Sequence, residues 1–86
     1  MTWSIEVESS AQRSLRRLPD KVRDAALAFV YGQLAENPRR VGQPLGRELN
    51  GRYSARRGSY RIIYRVVDER VLVQVVGAGL RSDVYR

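Results

Sequence analysis

The first part of the chain changes from an alternating pattern of apolar residues to a helical one. Residues 2–7 alternate β-branched with polar side chains, which predicts a short strand. A helix is predicted next, capped by Ser9 or Ser10 and ended by Pro19. Its apolar residues lie three or four positions apart and would form one buried stripe: Ala11, Leu15 and Leu18.

A second, longer helix is predicted to follow directly. Asp20 would cap this helix, and Asn37-Pro38 would end it. Between them the apolar residues again recur at helical spacing: Val22, Ala25, Ala26, Phe29, Val30 and Leu34. Residues 39–46 are then predicted to form a polar connection that leads to the remaining strands.

The dipeptide Gly58-Ser59 predicts a hairpin between a strand over residues 52–57 and another over residues 60–67. Glycine in the first position of a two-residue loop favours a type II′ turn, and that turn determines the register. Three pairs would then face each other: Arg56 with Arg61, Ser54 with Ile63, and Arg52 with Arg65. Because like charges directly across a sheet are destabilising, we infer that these arginines bind something anionic.

A second hairpin is predicted, with a two-residue turn at Asp68-Glu69 and a strand from residue 71 to residue 76. Alternation divides the side chains between a buried face and a solvent-exposed face. The buried face would carry Tyr53, Ala55, Tyr60, Ile62, Tyr64 and Val66, the last three opposite Val75, Val73 and Val71. The exposed face would carry Arg52, Ser54, Arg56, Arg61, Ile63, Arg65, Leu72, Gln74 and Val76.

Together these elements predict a small α+β fold in the order β-α-α-β-β-β. The two helices would pack on the apolar face of an antiparallel meander sheet. Residues 1–86 would form a single domain, because a chain of 86 residues can bury one modest core.

Composition excludes several classes of chemistry. The chain has no Cys and no His, which removes disulfides, thiolate nucleophiles, imidazole acid–base catalysis and most zinc sites. We therefore expect no metal and no other cofactor. No apolar run approaches the roughly 20 residues of a membrane span, and the first residues lack the pattern of a secretory signal. A cytoplasmic protein without a membrane partner is expected.

The net charge of +7 narrows the choice of partner. Of the sixteen basic residues only Lys21 is a lysine. Such a charge favours nucleic acid or an acidic protein as partner, although a genome rich in Arg codons would produce part of the same bias. From Pro44 onward nine Arg stand against four acidic residues. The charge is therefore concentrated in the predicted sheet.

The segment LNGRYSARRGSYRIIY, residues 49–64, resembles the signature of the RelE/ParE toxin superfamily, and its RelE branch in particular. AQRSLRRLP at residues 11–19 and the later stretch from Val76-Gly77 through residues 81–85 fit the same pattern. The resemblance implies the β-α-α-β-β-β fold and the toxin of a type II toxin–antitoxin pair. The resemblance to the RelE branch implies that this toxin cleaves messenger RNA in the A site of the 70S ribosome. It also implies a cognate acidic antitoxin, which silences the toxin and could carry the complex to operator DNA.

The resemblance also implies roles for individual residues. RNA is cut without a metal when its 2′-hydroxyl attacks the adjacent phosphate and leaves a 2′,3′-cyclic phosphate. Arg61 would bind the scissile phosphate, Arg56 would share it, and Arg81 would stabilise its charge and assist the leaving group. Tyr85 would serve as the acid–base group or as a stacking platform for a base. The flanking RNA would be bound by Arg52, Arg57, Arg65 and Ser54.

Two departures from the family pattern keep alternatives open. Ser54 stands where some members carry Lys, and Ala78-Gly79-Leu80 lacks the basic residue that relatives often place before the arginine matched by Arg81. One alternative is a ParE-like inhibitor of DNA gyrase with the same fold. The other is a catalytically weak relative that binds an antitoxin and takes part in repressing its own operon.

Overall fold

The computed structural model describes residues 2–45 and 51–80. Strand β1 is Ser4–Val7, helix α1 is Ser9–Arg17, and helix α2 is Asp20–Phe29, continued by a π-helical turn over Val30–Leu34. The remaining strands are β2 (Gln43–Pro44), β3 (Arg52–Arg57), β4 (Tyr60–Val67) and β5 (Leu72–Leu80). The predicted α+β class, with two helices against one face of the sheet, is confirmed.

The sheet has the order β1-β5-β4-β3-β2. Strands β3 to β5 form the predicted antiparallel meander, β2 adds to one edge by pairing antiparallel with β3, and β1 adds to the other edge by pairing parallel with β5. The short strand β2 was not predicted, because residues 39–46 look like a polar connection in the sequence. Two residues with one proline show no alternation that would indicate a strand.

Both predicted helix caps are wrong, by one residue for Ser9 and Asp20 and by two residues for the alternative Ser10. Glu8 is the N-cap of α1 and Pro19 is the N-cap of α2, and neither forms a capping hydrogen bond through its side chain. Ser9 and Asp20 are already the first helical residues. Asp20 instead accepts a hydrogen bond of 2.8 Å from Arg23, one turn along the helix. The helical structure ends at Glu36, just before Asn37-Pro38, as predicted.

The core lies between the helices and the predicted buried face of the sheet. The helical side contributes Ala11, Leu15, Leu18, Ala26, Phe29, Val30 and Leu34, and the sheet contributes Ala55, Tyr60, Ile62, Tyr64, Val73 and Val75. Ala25, which was predicted on the buried stripe, is exposed. The hydroxyl of Tyr60 donates to the Ala25 carbonyl at 3.3 Å, so the polar tip of this core side chain has a partner.

The first hairpin has the predicted register, with Arg56 opposite Arg61, Ser54 opposite Ile63 and Arg52 opposite Arg65. Gly58 adopts the positive φ of 54° that a glycine in the first loop position supplies. This register results from a local turn, which is why the sequence predicts it correctly.

The second hairpin differs from the prediction. Residues Asp68–Arg70 form a short 3-10 turn, and Val71 follows with φ 47°, so the connection has four residues instead of two. Tyr64 consequently faces Val75 and Val66 faces Val73, and a bulge between Ile63 and Tyr64 then brings Ile62 opposite Ala78. For Tyr64 and Val66 this shift of two residues keeps the partners on the predicted face, so both still meet valines. At Ile62 the bulge increases the shift to three residues, and its partner is Ala78 instead of Val75.

Candidate functional site

Residues 37–45, here called the strap, run from the end of α2 along the outer side of β3. The phenol of Tyr64 donates a hydrogen bond to the Pro38 carbonyl at the start of the strap. Farther along, Gln43 lies opposite Ser54 and Pro44 opposite Tyr53, and the Leu45 amide donates to the Arg52 carbonyl at 3.0 Å. The strap is therefore attached to the sheet at both of its ends.

A cavity of about 280 Å³ lies between the strap and the first hairpin. Its lining consists of five strap residues and four hairpin residues: Val41, Gly42, Gln43, Pro44, Leu45, Ser54, Arg56, Arg57 and Arg61. Three of these nine described residues are arginines and none is acidic. A cavity of this charge favours an anion, because no carboxylate in its described lining competes for the guanidinium groups.

Arg61 is buried, with only 1% of its surface exposed. The prediction that this face is exposed to solvent is wrong at Arg61 and at Leu72, which is 8% exposed. Arg52 and Arg56 are exposed as expected. Alternation assigns a side chain to a face of the sheet, but it does not show whether another part of the chain covers that side chain. An anion that reaches a buried guanidinium is attracted more strongly than one at the surface, since less water screens the charges.

Arg56 completes the pair on the side of β3. It is exposed and lies opposite the buried Arg61, and both line the same cavity. Two guanidinium groups on one cavity provide planar donors for the several oxygens of a phosphate group. Of the predicted site residues, the structure brings together Arg56, Arg61 and Ser54 on this face of the sheet.

Arg57 has a structural role that sequence reasoning missed. Residue 57 lies opposite Tyr60, so its side chain starts on the helix-covered face. Its guanidinium donates to the Val41 carbonyl at 3.0 Å and to the Arg56 carbonyl at 2.7 Å, and it lies 4.9 Å above the centre of the Phe29 ring. Arg57 thereby ties the strap to the hairpin. Its contact with flanking RNA remains a prediction.

Arg52 and Arg65 form a second arginine pair at the other end of the same two strands. They are four residues away from Arg56 and Arg61 along each strand, which corresponds to roughly 13 Å at the usual rise per residue. Neither is among the residues that line the cavity. Arg81 and Tyr85 lie outside the described residues, so their predicted roles stay predictions.

Two ion pairs between described residues lie away from the cavity. Arg39 donates to both carboxylate oxygens of Asp68, at 2.8 and 2.6 Å, and holds the pKa of that carboxyl below its usual value. Arg23 pairs with Asp20 at 2.8 Å. The Arg39 pair joins the strap to the turn between β4 and β5, so it stabilises the position of the strap without occupying the cavity arginines.

The two core phenols are poor candidates for proton transfer. Burial raises the pKa of Tyr64, and burial likewise raises the pKa of Tyr60. Both hydroxyls already donate to main-chain carbonyls. This agrees with the expectation that these tyrosines belong to the core. The described lining of the cavity can therefore bind a phosphate and stabilise its charge, but its arginine, serine and glutamine side chains provide no group that exchanges a proton near neutral pH.

Within residues 2–45 and 51–80, no group of three His, Cys, Asp or Glu is arranged to hold a metal ion. In the same ranges no helix has the length and apolar character needed to cross a membrane.

Comparison with known proteins gives matches over almost the whole chain. The model of a family described as the ParE toxin of type II toxin-antitoxin system, parDE, matches residues 5–85. Toxin RelG of Mycobacterium tuberculosis is 42% identical over 86 residues, which cover 100% of this chain and 99% of the relative. The mRNA interferase toxin RelE of Escherichia coli is 31% identical over 88 residues, covering 99% of this chain and 92% of the relative.

A solved structure has the same arrangement of elements. It is the toxin-antitoxin complex RelBE2 from Mycobacterium tuberculosis, whose matched chain superimposes with a TM-score of 0.89 at 40% identity. The match covers 94% of this chain and 100% of that chain.

Proposed function

This chain belongs to the ParE toxin family of type II toxin–antitoxin systems, and we propose that within the family it is an endoribonuclease that cleaves messenger RNA. One observation carries the proposal: Arg56 and Arg61 face each other across β3 and β4 and line one cavity whose described lining has no acidic residue. A RelE relative is named an mRNA interferase. The same activity in this chain would use that cavity for the RNA phosphate.

The proposed chemistry needs no metal ion. The 2′-oxygen of one ribose attacks the adjacent phosphorus, the bond to the 5′-oxygen breaks, and the products are a 2′,3′-cyclic phosphate and a 5′-hydroxyl. Arg61 and Arg56 would stabilise the extra negative charge on the pentacovalent phosphate. Arg81 would assist the departing 5′-oxygen, and Tyr85 would transfer the proton or stack on a base.

The scarcity of proton-transfer groups in the described cavity supports cleavage on the ribosome. A site that binds and stabilises a phosphate, but lacks a strong base, depends on accurate placement of the 2′-hydroxyl. Translating ribosomes hold the message in a defined path, so we propose the A site of the 70S ribosome as the place of cleavage. A toxin that acts there would work in the cytoplasm.

The partner that silences the toxin would be a cognate antitoxin. The matched chain of RelBE2 belongs to a toxin-antitoxin complex, and the charge of +7 of this chain favours an acidic partner. An acidic segment of the antitoxin would cover the exposed Arg56 or the entrance of the cavity. Any contact with operator DNA would be made by the antitoxin in the complex.

Primer extension on cellular messages after brief induction of the toxin tests the proposal. We expect cuts at translated positions of the messages. The released 3′ ends should resist phosphatase until acid opens the cyclic phosphate. Intact messages together with arrested DNA replication would overturn the proposal in favour of gyrase inhibition. Unimpaired growth with intact messages would instead indicate a relative that only binds an antitoxin.

A further inference from the structure

Gln43 is a cavity residue whose chemistry differs from that of the arginines. It is exposed, it lines the cavity with Arg56 and Arg61, and its partner across the sheet is Ser54. Residues directly opposite each other in an antiparallel pair share a face. Strand β2 therefore extends the face that carries Ser54, Arg56 and Arg61, and Gln43 is its outermost polar residue there.

Hydrogen bonds and close packing fix the main chain on both sides of Gln43. Before it, the Val41 carbonyl accepts the hydrogen bond from Arg57, and Gly42 packs against the Tyr64 phenol and the Ser54 carbonyl. After it, Pro44 has a restricted φ, and the Leu45 amide bonds to β3. A glutamine on such a strand projects from a defined position, unlike one on a loose surface loop.

The side chains in the cavity divide into two chemical classes. Guanidinium contacts to phosphate position a nucleic acid but do not distinguish one base from another. A primary amide provides two donors and an acceptor, and it pairs with the edges of bases in single-stranded RNA. Gln43 is the described lining residue that carries such an amide.

The distances from Gln43 to Arg56 and Arg61 suit a single nucleotide. Gln43 and Arg56 are diagonal neighbours across β2 and β3, a relation that separates them by roughly 7–8 Å. Arg61 lies one strand farther in. A nucleotide whose phosphate contacts the two arginines would direct its base outward along the face, toward the strap.

We propose that Gln43 is a specificity-determining residue: its amide hydrogen-bonds the base of the nucleotide next to the phosphate held by Arg56 and Arg61. Through this bond it sets the nucleotide preference of cleavage. The inference rests on the proposed nuclease function and adds to it a base-reading contact on β2.

The test compares Gln43→Ala with the wild type and with Gln33→Ala as the matched control. Gln33 is also an exposed glutamine, but it lies in the π-helical turn after α2. Each protein is added to a cell-free translation system with a pool of messages randomised over several codons, and the cut ends are sequenced. At each position around the cut, the measured quantity is the ratio of cleavage with the most favoured base to cleavage with the least favoured base.

For the wild type and Gln33→Ala we expect the same preference. For Gln43→Ala we expect that ratio to fall about fivefold or more at one position beside the cut, which is the effect expected when an amide–base contact is lost. At the other positions the ratio should be unchanged. A second readout is the binding of short 2′-O-methyl oligonucleotides that differ in one base, measured by fluorescence anisotropy. The difference in affinity between bases should disappear in Gln43→Ala.

Two results would overturn this inference alone: an unchanged preference in Gln43→Ala, or an equal loss of cleavage at all bases. The second result would mean that the residue only supports the strap. Failure of the wild type to cleave any message would instead overturn the nuclease function, and the inference with it. Melting temperatures of the three proteins should agree, since both glutamines are exposed.

Discussion

Gly42 lies against Tyr64 so closely that there is no space for a β-carbon. A Cβ built on Gly42 overlaps the phenolic oxygen of Tyr64 and comes within 2.9 Å of the Ser54 carbonyl oxygen. This glycine therefore allows the strap to approach β3, and the approach forms one wall of the cavity. The relationship connects the core, through Tyr64, to the candidate site.

Substitution Gly42→Ala should separate the strap from the sheet. We expect a loss of roughly 1–3 kcal/mol in the free energy of unfolding, the usual cost of overpacking, together with reduced cleavage because the cavity opens. Urea unfolding and primer extension are the measurements. Gly32→Ala is the control, because a Cβ there has nothing within 4 Å, and a helical alanine in place of glycine should retain or raise stability. Equal stability of the two variants would contradict this account of Gly42.

Arg61 should require its planar guanidinium and not only its charge. Arg61→Lys keeps one positive charge but loses the forked donor, so we expect cleavage to fall at least tenfold, on the scale of a lost charge-assisted hydrogen bond of about 1.5–3 kcal/mol. The rate of message cleavage in a cell-free system measures the effect. Arg13→Lys is the control, since Arg13 is exposed on α1 and does not line the cavity. If Arg61→Lys cleaves as fast as Arg13→Lys, the cavity is not the phosphate site.

Arg57 should matter for stability as well as for activity. Arg57→Met removes the two hydrogen bonds to main-chain carbonyls and the contact with Phe29, and we expect the free energy of unfolding to fall by about 1–2 kcal/mol. Thermal and urea unfolding of the purified protein would detect this. If Arg57 only bound RNA, the variant would bind RNA more weakly but keep the stability of the wild type. The stability measurement therefore distinguishes a structural role of Arg57 from an RNA-binding role.

Tyr64 should make the fold sensitive to alkaline pH. Burial raises the pKa of its phenol above the usual value of 10.0, so the folded protein keeps this proton at a pH where the unfolded chain loses it. The stabilisation is fully present below about pH 10 and is lost as the pH rises above that value. Tyr64→Phe should cost about 1 kcal/mol at neutral pH, through the lost bond to Pro38, and should flatten the decline above pH 10.

Unfolding free energies measured from pH 7 to pH 11 test this prediction. Tyr31→Phe is the control, because Tyr31 is 59% exposed and its replacement should leave the stability close to that of the wild type. An identical alkaline decline in wild type and Tyr64→Phe would mean that this phenol titrates normally in the folded protein.

Patterns among residues that are neighbours in the sequence predicted a large part of the fold. The Gly58-Ser59 loop predicts the register of β3 and β4 because the turn and the paired residues are neighbours in sequence. The helical stripes predict the core contributed by Leu15, Phe29 and Leu34. The turn after β4 was predicted wrongly, since Asp68-Glu69 also suits the start of a 3-10 turn, and a valine with positive φ is too rare to anticipate.

For the candidate site, the sequence alone identified Arg56, Arg61 and Ser54 and their common face, because alternation along a strand is a local property. It did not reveal the strap, the commitment of Arg57 to main-chain carbonyls, or the burial of Arg61. Those features were decided only by the tertiary structure, which brings Val41 and Gly42 beside a hairpin more than ten residues away in the chain. Strand periodicity determines which way a side chain points, whereas contacts between distant segments determine what it meets.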